Sequence, residues 1–201
     1  KMASAEFKSN DAHSVLVFND EHNTIVNAIR RVIIDDVPTM AIEEVEVVQN
    51  ESPLYSETIA HRLGLIPLST DYKTYSYKDV GKQNDVGVAL SEVKMSLSAD
   101  KEGYVYSGDI KSDDPKVAPV DKEIPISKIV GKDKKLEVNM SAYLGTGRDH
   151  AKWSPAHSYL KEEGKNIELY VEPFGQLDSK EIYNTAIDIL KDKIEELEEK
   201  L

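Results

Sequence analysis

The residue types that most often perform chemistry are sparse in this sequence. Its five histidines are His13, His22, His61, His150 and His157, and no two are spaced as H-x-x-x-H, the pattern that places two metal ligands on one helical face. The chain contains no cysteine, which excludes thiolate zinc sites, iron–sulfur clusters and cysteine nucleophiles. It also lacks G-x-S-x-G and G-K-S/T, the motifs of serine hydrolases and phosphate-binding loops.

One short segment holds the remaining candidates for chemistry. Residues 145–153 read Gly-Thr-Gly-Arg-Asp-His-Ala-Lys-Trp, and their first four residues are the nearest match to a phosphate cradle. Asp149 and His150, with the later His157, could supply metal ligands or an acid–base pair. These patterns leave open a stand-alone metal- or phosphate-binding enzyme that uses Arg148, Asp149 and His150.

The same segment contains the only tryptophan of the chain, Trp153, close to Arg148. Tryptophan and arginine are enriched among the residues that dominate binding at protein interfaces, so an exposed Trp153 would indicate a docking surface. The alternative is that Trp153 fills the core of a second domain and its neighbours form an ordinary loop. The sequence alone leaves both interpretations open.

The composition is that of an acidic globular protein, with 37 Asp and Glu against 25 Lys and Arg in 201 residues, a formal net charge of -12. Because nucleic-acid affinity depends on neutralising phosphates with Lys and Arg, direct DNA binding by this chain alone is disfavoured. The sequence has no run of 18 apolar residues and no apolar signal-peptide core near its N-terminus. We therefore expect no membrane span and a cytoplasmic location.

A helix is predicted at about residues 21–35, after a strand at 13–18. Its apolar residues fall at i, i+4, i+7 and i+8 and form one face: Ile25, Ile29, Val32 and Ile33. On a helical wheel Arg30 flanks this face and Arg31 points away from it. The acidic pair Asp35-Asp36 that follows is interpreted as solvated.

A strand at 39–48 follows, and its alternation breaks at Glu43-Glu44, which indicates a bulge. Ser52-Pro53 predicts the start of a second helix, with Gly64 as the residue just after its end. His61 and Arg62 lie in the last turn of that helix, where cations can satisfy the last carbonyl groups, so capping is favoured over catalysis.

The composition becomes polar and β-rich after residue 70, and residues 70–165 are predicted to form an insert domain. A strand at 167–171 needs a sheet, and the sheet of the N-terminal segment is available. We therefore expect an α+β fold in which residues 1–69 and 166–201 form one discontinuous domain, a sheet with two packing helices, interrupted by the insert.

The last helix is predicted to begin at a capping box, Asp178 and Glu181, and to run to the end of the chain. Its apolar residues are spaced 4, 3, 4, 3 and 4, a heptad seam: Tyr183, Ile187, Leu190, Ile194, Leu197 and Leu201. The seam could pack on the protein's own sheet, but burial against a second chain is favoured. Four glutamates crowd residues 195–199, where the helix macrodipole prefers cations, so this end is either a solvated face or one that meets a basic partner.

Three segments together resemble one protein family. They read N-A-I-R-R-V-I followed by V-P-T-M-A-I-E-E-V at 27–45, I-A-H-R-L-G-L-I-P-L at 59–68, and Y-L-G-T-G-R-D-H-A-K-W-S-P-A at 143–156. This set resembles the D-type subunits of archaeal DNA-directed RNA polymerase, whose family includes the eukaryotic third-largest polymerase subunit and, more loosely, the bacterial alpha N-terminal domain. The resemblance covers about residues 15–201.

The resemblance implies a non-catalytic assembly platform in a DNA-directed RNA polymerase, a nucleotidyltransferase whose magnesium site belongs to the largest subunit. It implies heterodimerisation with a small alpha-like subunit, recruitment of the second-largest subunit, contacts with small zinc-binding subunits, and nucleic acid contacts only within the assembled complex. A homodimeric scaffold of the bacterial alpha type is the other arrangement, although acidic tails on both chains would repel each other in it.

The resemblance also assigns residues to these surfaces. The small-subunit interface would comprise Ile25, Ile29, Val32, Ile33, Tyr183, Ile187, Leu190, Ile194 and Leu197. The large-subunit interface would comprise Arg30, Arg31, His61, Arg62, Gly145, Gly147, Arg148, His150, Lys152 and Trp153.

The sequence departs from several archaeal members of this family in one respect. Those members carry a cysteine-rich, ferredoxin-like domain between the A-K-W-x-P-A motif and the last strand. Here only residues 157–165 occupy that position, and the chain has no cysteine. We therefore expect a form without an iron–sulfur cluster, with no cofactor in this chain.

Overall fold

The computed structural model describes residues 5–9, 14–19, 23–75, 92–164 and 166–201. Some of the sequence-based predictions lie outside these described residues. They are His13 at the start of the first strand, Glu21 and His22 at the start of the first helix, and residues 76–91 of the predicted insert domain.

Contacts along the backbone divide the chain into two compact units. The first unit consists of residues 1–38 and 146–201, and the second unit consists of residues 39–145. These boundaries differ from the predicted ones at 69/70 and 165/166. The physical reason is strand pairing, because the strand that follows the first helix pairs along its length with a strand ending at Gly145. Side-chain alternation identifies a strand but not its neighbour.

The first unit is an antiparallel sheet packed against two helices. Its elements in chain order are β1 (Ala5–Ser9), β2 (Ser14–Asn19), α1 (Asn23–Asp35), β9 (Ala156–Glu163), β10 (Asn166–Pro173) and α3 (Ser179–Glu198). The strand order is β1-β2-β10-β9. Asp178 caps α3 as predicted, because its side chain accepts a hydrogen bond from the backbone N–H of Glu181 at 3.0 Å.

Alternation places the apolar side chains of β10 under the two helices. Ile167, Leu169 and Val171 are buried, and α1 packs against β9, β10 and α3. Tyr183 of α3 is also buried, and its hydroxyl group donates to the carbonyl oxygen of Leu169 at 2.9 Å. The core of the first unit therefore lies between the helices and one face of its sheet.

The second unit is rich in strands and contains one α-helix among its described residues. Its elements are β3 (Thr39–Asn50), α2 (Ser56–Gly64), β4 (Val93–Ala99), β5 (Gly103–Tyr106), β6 (Lys111–Ser112), β7 (Pro125–Ile129) and β8 (Leu136–Gly145). They form sheets of order β3-β8-β4-β6 and β5-β7. The bulge predicted at Glu43-Glu44 is confirmed by a register shift between Ile42 and Glu44 against β8. Antiparallel sheets with few helices agree with the predicted mixture of α and β structure.

The second helix begins later than predicted, at Ser56 rather than at Ser52-Pro53. The side chain of Asn50 explains the difference: its oxygen accepts hydrogen bonds from the backbone and hydroxyl groups of Ser52, and its amide donates to the carbonyl oxygen of Leu54 at 2.9 Å. These local bonds favour a turn over a helix at residues 52–54. Gly64 is the last helical residue rather than the residue after the helix, and Leu65 is the C-cap.

The polar segment after Leu68 is held by an ion pair and by side-chain hydrogen bonds within the second unit. Lys116 Nζ lies 2.8 Å from a carboxylate oxygen of Asp71, and this contact, with hydrogen bonds from Lys73 and Thr74, lowers the pKa of Asp71 to about 2. Tyr75 donates from its hydroxyl group to Asp114 at 2.8 Å. Residues 71–75 therefore contact the loop at 114–116.

Within the described parts of the chain, no helix combines the length and the apolar composition needed to cross a membrane.

Candidate functional site

The loop at residues 146–154 packs closely against the C-terminal end of α1, within the first unit. A Cβ atom added to Gly147 would lie 2.0 Å from the carbonyl oxygen of Ile34, so only glycine fits this position. The backbone N–H of Arg148 donates to the carbonyl oxygen of Asp35 at 3.1 Å, and the hydroxyl of Ser154 donates to that of Ile34 at 3.1 Å. The loop thus satisfies carbonyl groups that the end of a helix leaves without partners.

A charged cluster joins the same loop to both helices of this unit. Asp36, next to the end of α1, accepts from Arg148 Nε at 2.5 Å and from Lys193 Nζ of α3 at 2.7 Å. The hydrogen bond and the charge of Asp36 raise the pKa of Arg148 above its ordinary value. The interpretation of Asp35-Asp36 as a solvated pair is wrong for Asp36, whose side chain is only 12% exposed.

Two of the side chains proposed for enzymatic chemistry, Asp149 and His150, accept hydrogen bonds from other residues of the loop. The carboxylate of Asp149 accepts from the Thr146 hydroxyl at 2.9 Å, and Nδ1 of His150 accepts from the backbone N–H of Lys152 at 3.1 Å. No group of three or more His, Cys, Asp or Glu residues suited to a metal ion occurs among the described residues. The enzyme alternative gains no support from this arrangement.

Trp153 is 7% exposed, so the hypothesis of an exposed docking tryptophan is wrong. Trp153 lies in the first of the two compact units and is not part of the core of residues 39–145. The Nζ of Lys152 lies 4.4 Å from the centre of its indole ring, a cation–π contact. Trp153 is therefore a buried residue of this loop, whereas Arg148 and His150 are exposed and Lys152 is half-buried.

The two helices of the first unit differ in how much of their apolar faces is buried. In α1 the residues Ile29, Val32 and Ile33 are buried within the unit, whereas Ile25 is 51% exposed. The predicted face is therefore real, but most of it is covered by the protein's own sheet and α3. Arg30 is half-buried, with its Nε donating to Asn27 at 3.0 Å, and Arg31 is exposed, which confirms the predicted directions of the two arginines.

The apolar seam of α3 is buried near the start of the helix and exposed near its end. Tyr183 is buried, Ile187 and Leu190 are half-buried, and the last residues are open to solvent. We call these last residues the distal seam: Ile194, 51% exposed, Leu197, 59% exposed, and Leu201, 99% exposed. Glu195, Glu196, Glu198 and Glu199 are exposed beside them. An apolar stripe with an acidic flank is thus left uncovered.

The other predicted residues lie in the second unit. His61 and Arg62 are exposed on α2, and Arg62 donates to the carbonyl oxygen of Ile126 at 3.0 Å rather than to the last carbonyl groups of its own helix. Gly145 ends β8, opposite Thr39. These three residues belong to a different unit from Gly147, Arg148 and Trp153.

Sequence reasoning missed two residues of the charged cluster, Asp36 and Lys193. One signal could have found them. α1 has no basic residue in its last turn, yet two aspartates stand at its C-terminal end, where the helix macrodipole disfavours negative charge. Such an arrangement indicates that cations come from elsewhere in the fold.

Comparisons with known proteins agree on one family. A family model described as RNA polymerase Rpb3/RpoA insert domain matches residues 43–170. The DNA-directed RNA polymerase subunit Rpo3 of Pyrococcus furiosus is 46% identical over 145 residues, 72% of this chain and 53% of that protein. The Pyrococcus horikoshii subunit Rpo3 is 48% identical over 135 residues, 67% of this chain and 49% of that protein.

The match to the subunit Rpo3 of Methanocaldococcus jannaschii is longer, 40% identical over 172 residues, 84% of this chain and 80% of that protein. Against the Pyrococcus proteins, the chain spans about half the length of the curated relatives it matches. The family model includes the motifs at 59–68 and 143–156, two of the three that carry the family resemblance. The chain belongs to the Rpb3/RpoA family of RNA polymerase subunits, together with the archaeal Rpo3 proteins.

Proposed function

We propose that this chain is a non-catalytic assembly subunit of a multisubunit DNA-directed RNA polymerase. In this proposal the first unit is the alpha-like dimerisation domain and the second unit is the β-rich insert. The observation that carries the proposal is the distal seam of α3, an apolar stripe at heptad spacing that the protein's own sheet does not cover. Monomeric proteins seldom leave such a stripe open, because its burial against a partner is favourable.

The partner proposed for the distal seam is the small alpha-like subunit of the same polymerase. Ile25 of α1 is exposed as well, and together with Ile194 and Leu197 it would form the accessible part of that interface. The buried residues Ile29, Val32, Ile33 and Tyr183 would support it from within. The acidic flank of the seam disfavours a second copy of this chain, since like charges would meet in a homodimer.

The surface proposed for the second-largest subunit lies on the exposed polar groups of the 146–154 loop and on α1. Arg31 projects into solvent, and His150 is exposed on the loop. Arginine at an interface offers several donors in a planar group, which suits contacts with carboxylates and carbonyl oxygens. His61 and Arg62 remain proposed contacts on the second unit, as do contacts with the small zinc-binding subunits elsewhere on the chain.

We also propose that this is a form without the iron–sulfur domain and that the chain acts in the cytoplasm. The pairing of β9 with β10 supports the first point, because Glu163 lies opposite Asn166 and only residues 164 and 165 link these two strands. Magnesium chemistry would belong to the catalytic subunit, and nucleic acid would be met only in the complete complex.

The test is to measure the affinity of the purified chain for the small alpha-like subunit by titration calorimetry. Leu197→Asp should weaken binding by about 100-fold or more, because the variant would bury a charge in place of an apolar side chain. Its thermal stability should be unchanged, since Leu197 is exposed in the free chain.

Val130→Asp is the matched control for this experiment, since Val130 is 54% exposed but lies in the second unit. It should bind like the unmodified chain. Unchanged affinity of Leu197→Asp would remove the distal seam from the interface, and a chain that forms no complex with the small subunit would overturn the proposed function.

A further inference from the structure

Asp36 joins two parts of the first unit that are distant in the sequence. Its two carboxylate oxygens are each paired with a different cation, Arg148 of the loop at 2.5 Å and Lys193 of α3 at 2.7 Å. The three residues come from three segments, separated by 112 residues from Asp36 to Arg148 and by 157 residues from Asp36 to Lys193. One largely buried side chain is therefore shared by the loop and the last helix.

The position of Asp36 is fixed by the end of α1. Its backbone N–H donates to the carbonyl oxygen of Val32 at 2.9 Å, which extends the hydrogen bonding of the helix by one residue. A carboxylate at this end of a helix is disfavoured unless cations neutralise it. Arg148 and Lys193 supply that charge, so the same interaction that stabilises the helix end also orients the loop and α3.

On the α3 side, the contact lies next to the part of the helix whose apolar side chains are exposed. Lys193 immediately precedes Ile194, the first residue of the distal seam. Because Ile194 and Leu197 are exposed, the apolar core of the unit does not hold this part of α3 in place. The ion pair with Asp36 ties it to the end of α1.

On the loop side, Asp36 acts on a segment that is already close-packed. Gly147 lies against the carbonyl oxygen of Ile34, and the backbone N–H of Arg148 donates to Asp35. The ion pair with Asp36 orients the guanidinium group of Arg148, whose side chain is 64% exposed. The loop backbone is thus set by packing, and the direction of its arginine is set by Asp36.

We propose that Asp36 is a positioning residue that holds the distal half of α3 and the 146–154 loop in one arrangement, so that a partner bound at either surface raises the affinity for a partner at the other. This inference rests on the proposed function, because it takes the two surfaces to be docking sites for different polymerase subunits. The side chains of Arg148 and Lys193 are 64% and 42% exposed, so holding each of them on Asp36 still costs side-chain entropy. A first partner that immobilises one of them lowers the remaining cost of ordering the other for the second partner.

The experiment measures the dissociation constant of the small alpha-like subunit for the full chain, with and without a saturating amount of the second-largest subunit. For the unmodified chain the second-largest subunit should tighten binding about tenfold, within the range usual for coupled sites. In Asp36→Asn this ratio should fall to about one, with each subunit still binding separately. By reciprocity, the same ratio should appear when the roles of the two subunits are exchanged.

Asp188→Asn is the control with an equal change of charge, because Asp188 pairs with Lys191 within α3 at 3.4 Å and does not join the loop. It should keep the ratio of the unmodified chain. Lys193→Met should lose the coupling and Lys193→Arg should retain it, which separates a charge contact from a general loss of structure.

Hydrogen exchange of the free chain provides a second measurement that needs no partner. Asp36→Asn should speed the exchange of backbone amides at residues 191–198 and leave those at 181–186 unchanged. Retention of the coupling ratio in Asp36→Asn, or a ratio of one in the unmodified chain, would overturn the inference. Failure of either subunit to bind the unmodified chain would instead overturn the proposed function.

Discussion

The two helices of the first unit have similar apolar faces, but these faces are buried to different extents. Ile29, Val32 and Ile33 of α1 are covered by the unit itself. In α3 only the first turns are covered, and the seam is open from Ile194 onward. The difference follows from length and placement. α3 has 20 residues and rises about 30 Å, and it shares the 8-residue strand β10 with α1, which also packs on that strand.

A heptad or helical spacing therefore predicts which side chains will be buried, but not which surface buries them. In α1 the covering surface is intramolecular, so substitutions there act on folding. In the distal seam the apolar side chains are exposed in the described part of the chain, so the proposed function predicts that substitutions there act on association. The following variants test that division.

The largest effect is expected from Ile29→Asp. The aspartate would place an unpaired charge in the core of the first unit and lower its free energy of unfolding by about 4 kcal/mol or more, a large share of the stability of a typical domain. Urea unfolding followed by circular dichroism measures this change. Ile25→Asp, on the same helix but exposed, should shift the free energy by less than about 0.5 kcal/mol. Equal effects of the two variants would mean that the α1 face is not covered as the structure shows.

Gly147→Ala should have the next largest effect. The added methyl group would overlap the carbonyl oxygen of Ile34, so the loop must move and lose its hydrogen bonds to the end of α1. We expect a loss of about 2–4 kcal/mol in the free energy of unfolding, measured by guanidinium titration.

Gly64→Ala is the comparison for this variant. There the new Cβ would lie 3.5 Å from the carbonyl oxygen of Ile42, an ordinary contact, and alanine favours the helix by about 0.5–1 kcal/mol. A neutral Gly147→Ala, equal to Gly64→Ala, would contradict the close packing of the loop.

The smallest effect is expected at Tyr183, in the covered part of α3. Burial raises the pKa of Tyr183 to about 12, above the ordinary value of 10. Because the folded state holds the proton more tightly, the stability that this phenol contributes is complete below pH 10 and is lost as pH rises from 10 to 12, by up to about 2 kcal/mol. The free energy of unfolding should therefore fall less between pH 8 and pH 11 in Tyr183→Phe than in the unmodified chain. The other tyrosines titrate in both proteins and do not contribute to this difference.

At pH 8, Tyr183→Phe should lower the free energy of unfolding by about 1 kcal/mol, because residue 183 no longer donates to the carbonyl oxygen of Leu169. An unchanged dependence on pH in Tyr183→Phe would assign the alkaline loss of stability to another group.

Much of the fold could be predicted from local pattern. The bulge at Glu43-Glu44, the cap at Asp178 and the directions of Arg30 and Arg31 all agree with the sequence interpretation. Each depends on residues that are close in sequence. The predicted start of α2 is too early because the side chain of Asn50 competes for the backbone of the following residues, and that competition leaves no periodic signal.

The candidate surfaces could be predicted in part. The motif at 143–156 includes the loop that packs on the end of α1, but the exposure of its tryptophan cannot be judged from neighbouring residues. Trp153 is buried, and the chain presents Arg148, His150 and Lys152 instead. Asp36 escapes sequence reasoning because its two partners lie 112 and 157 residues away, beyond any local spacing rule.

Three motifs in the sequence indicate the family, and apolar periodicity with capping residues indicates the elements that carry them, because both depend on near neighbours in the chain. The pairing of the strands, the division into two units and the exposure of the distal seam are visible only in the folded chain. Those features depend on contacts between distant segments, where burial and charge pairing are fixed by the packing of the whole unit.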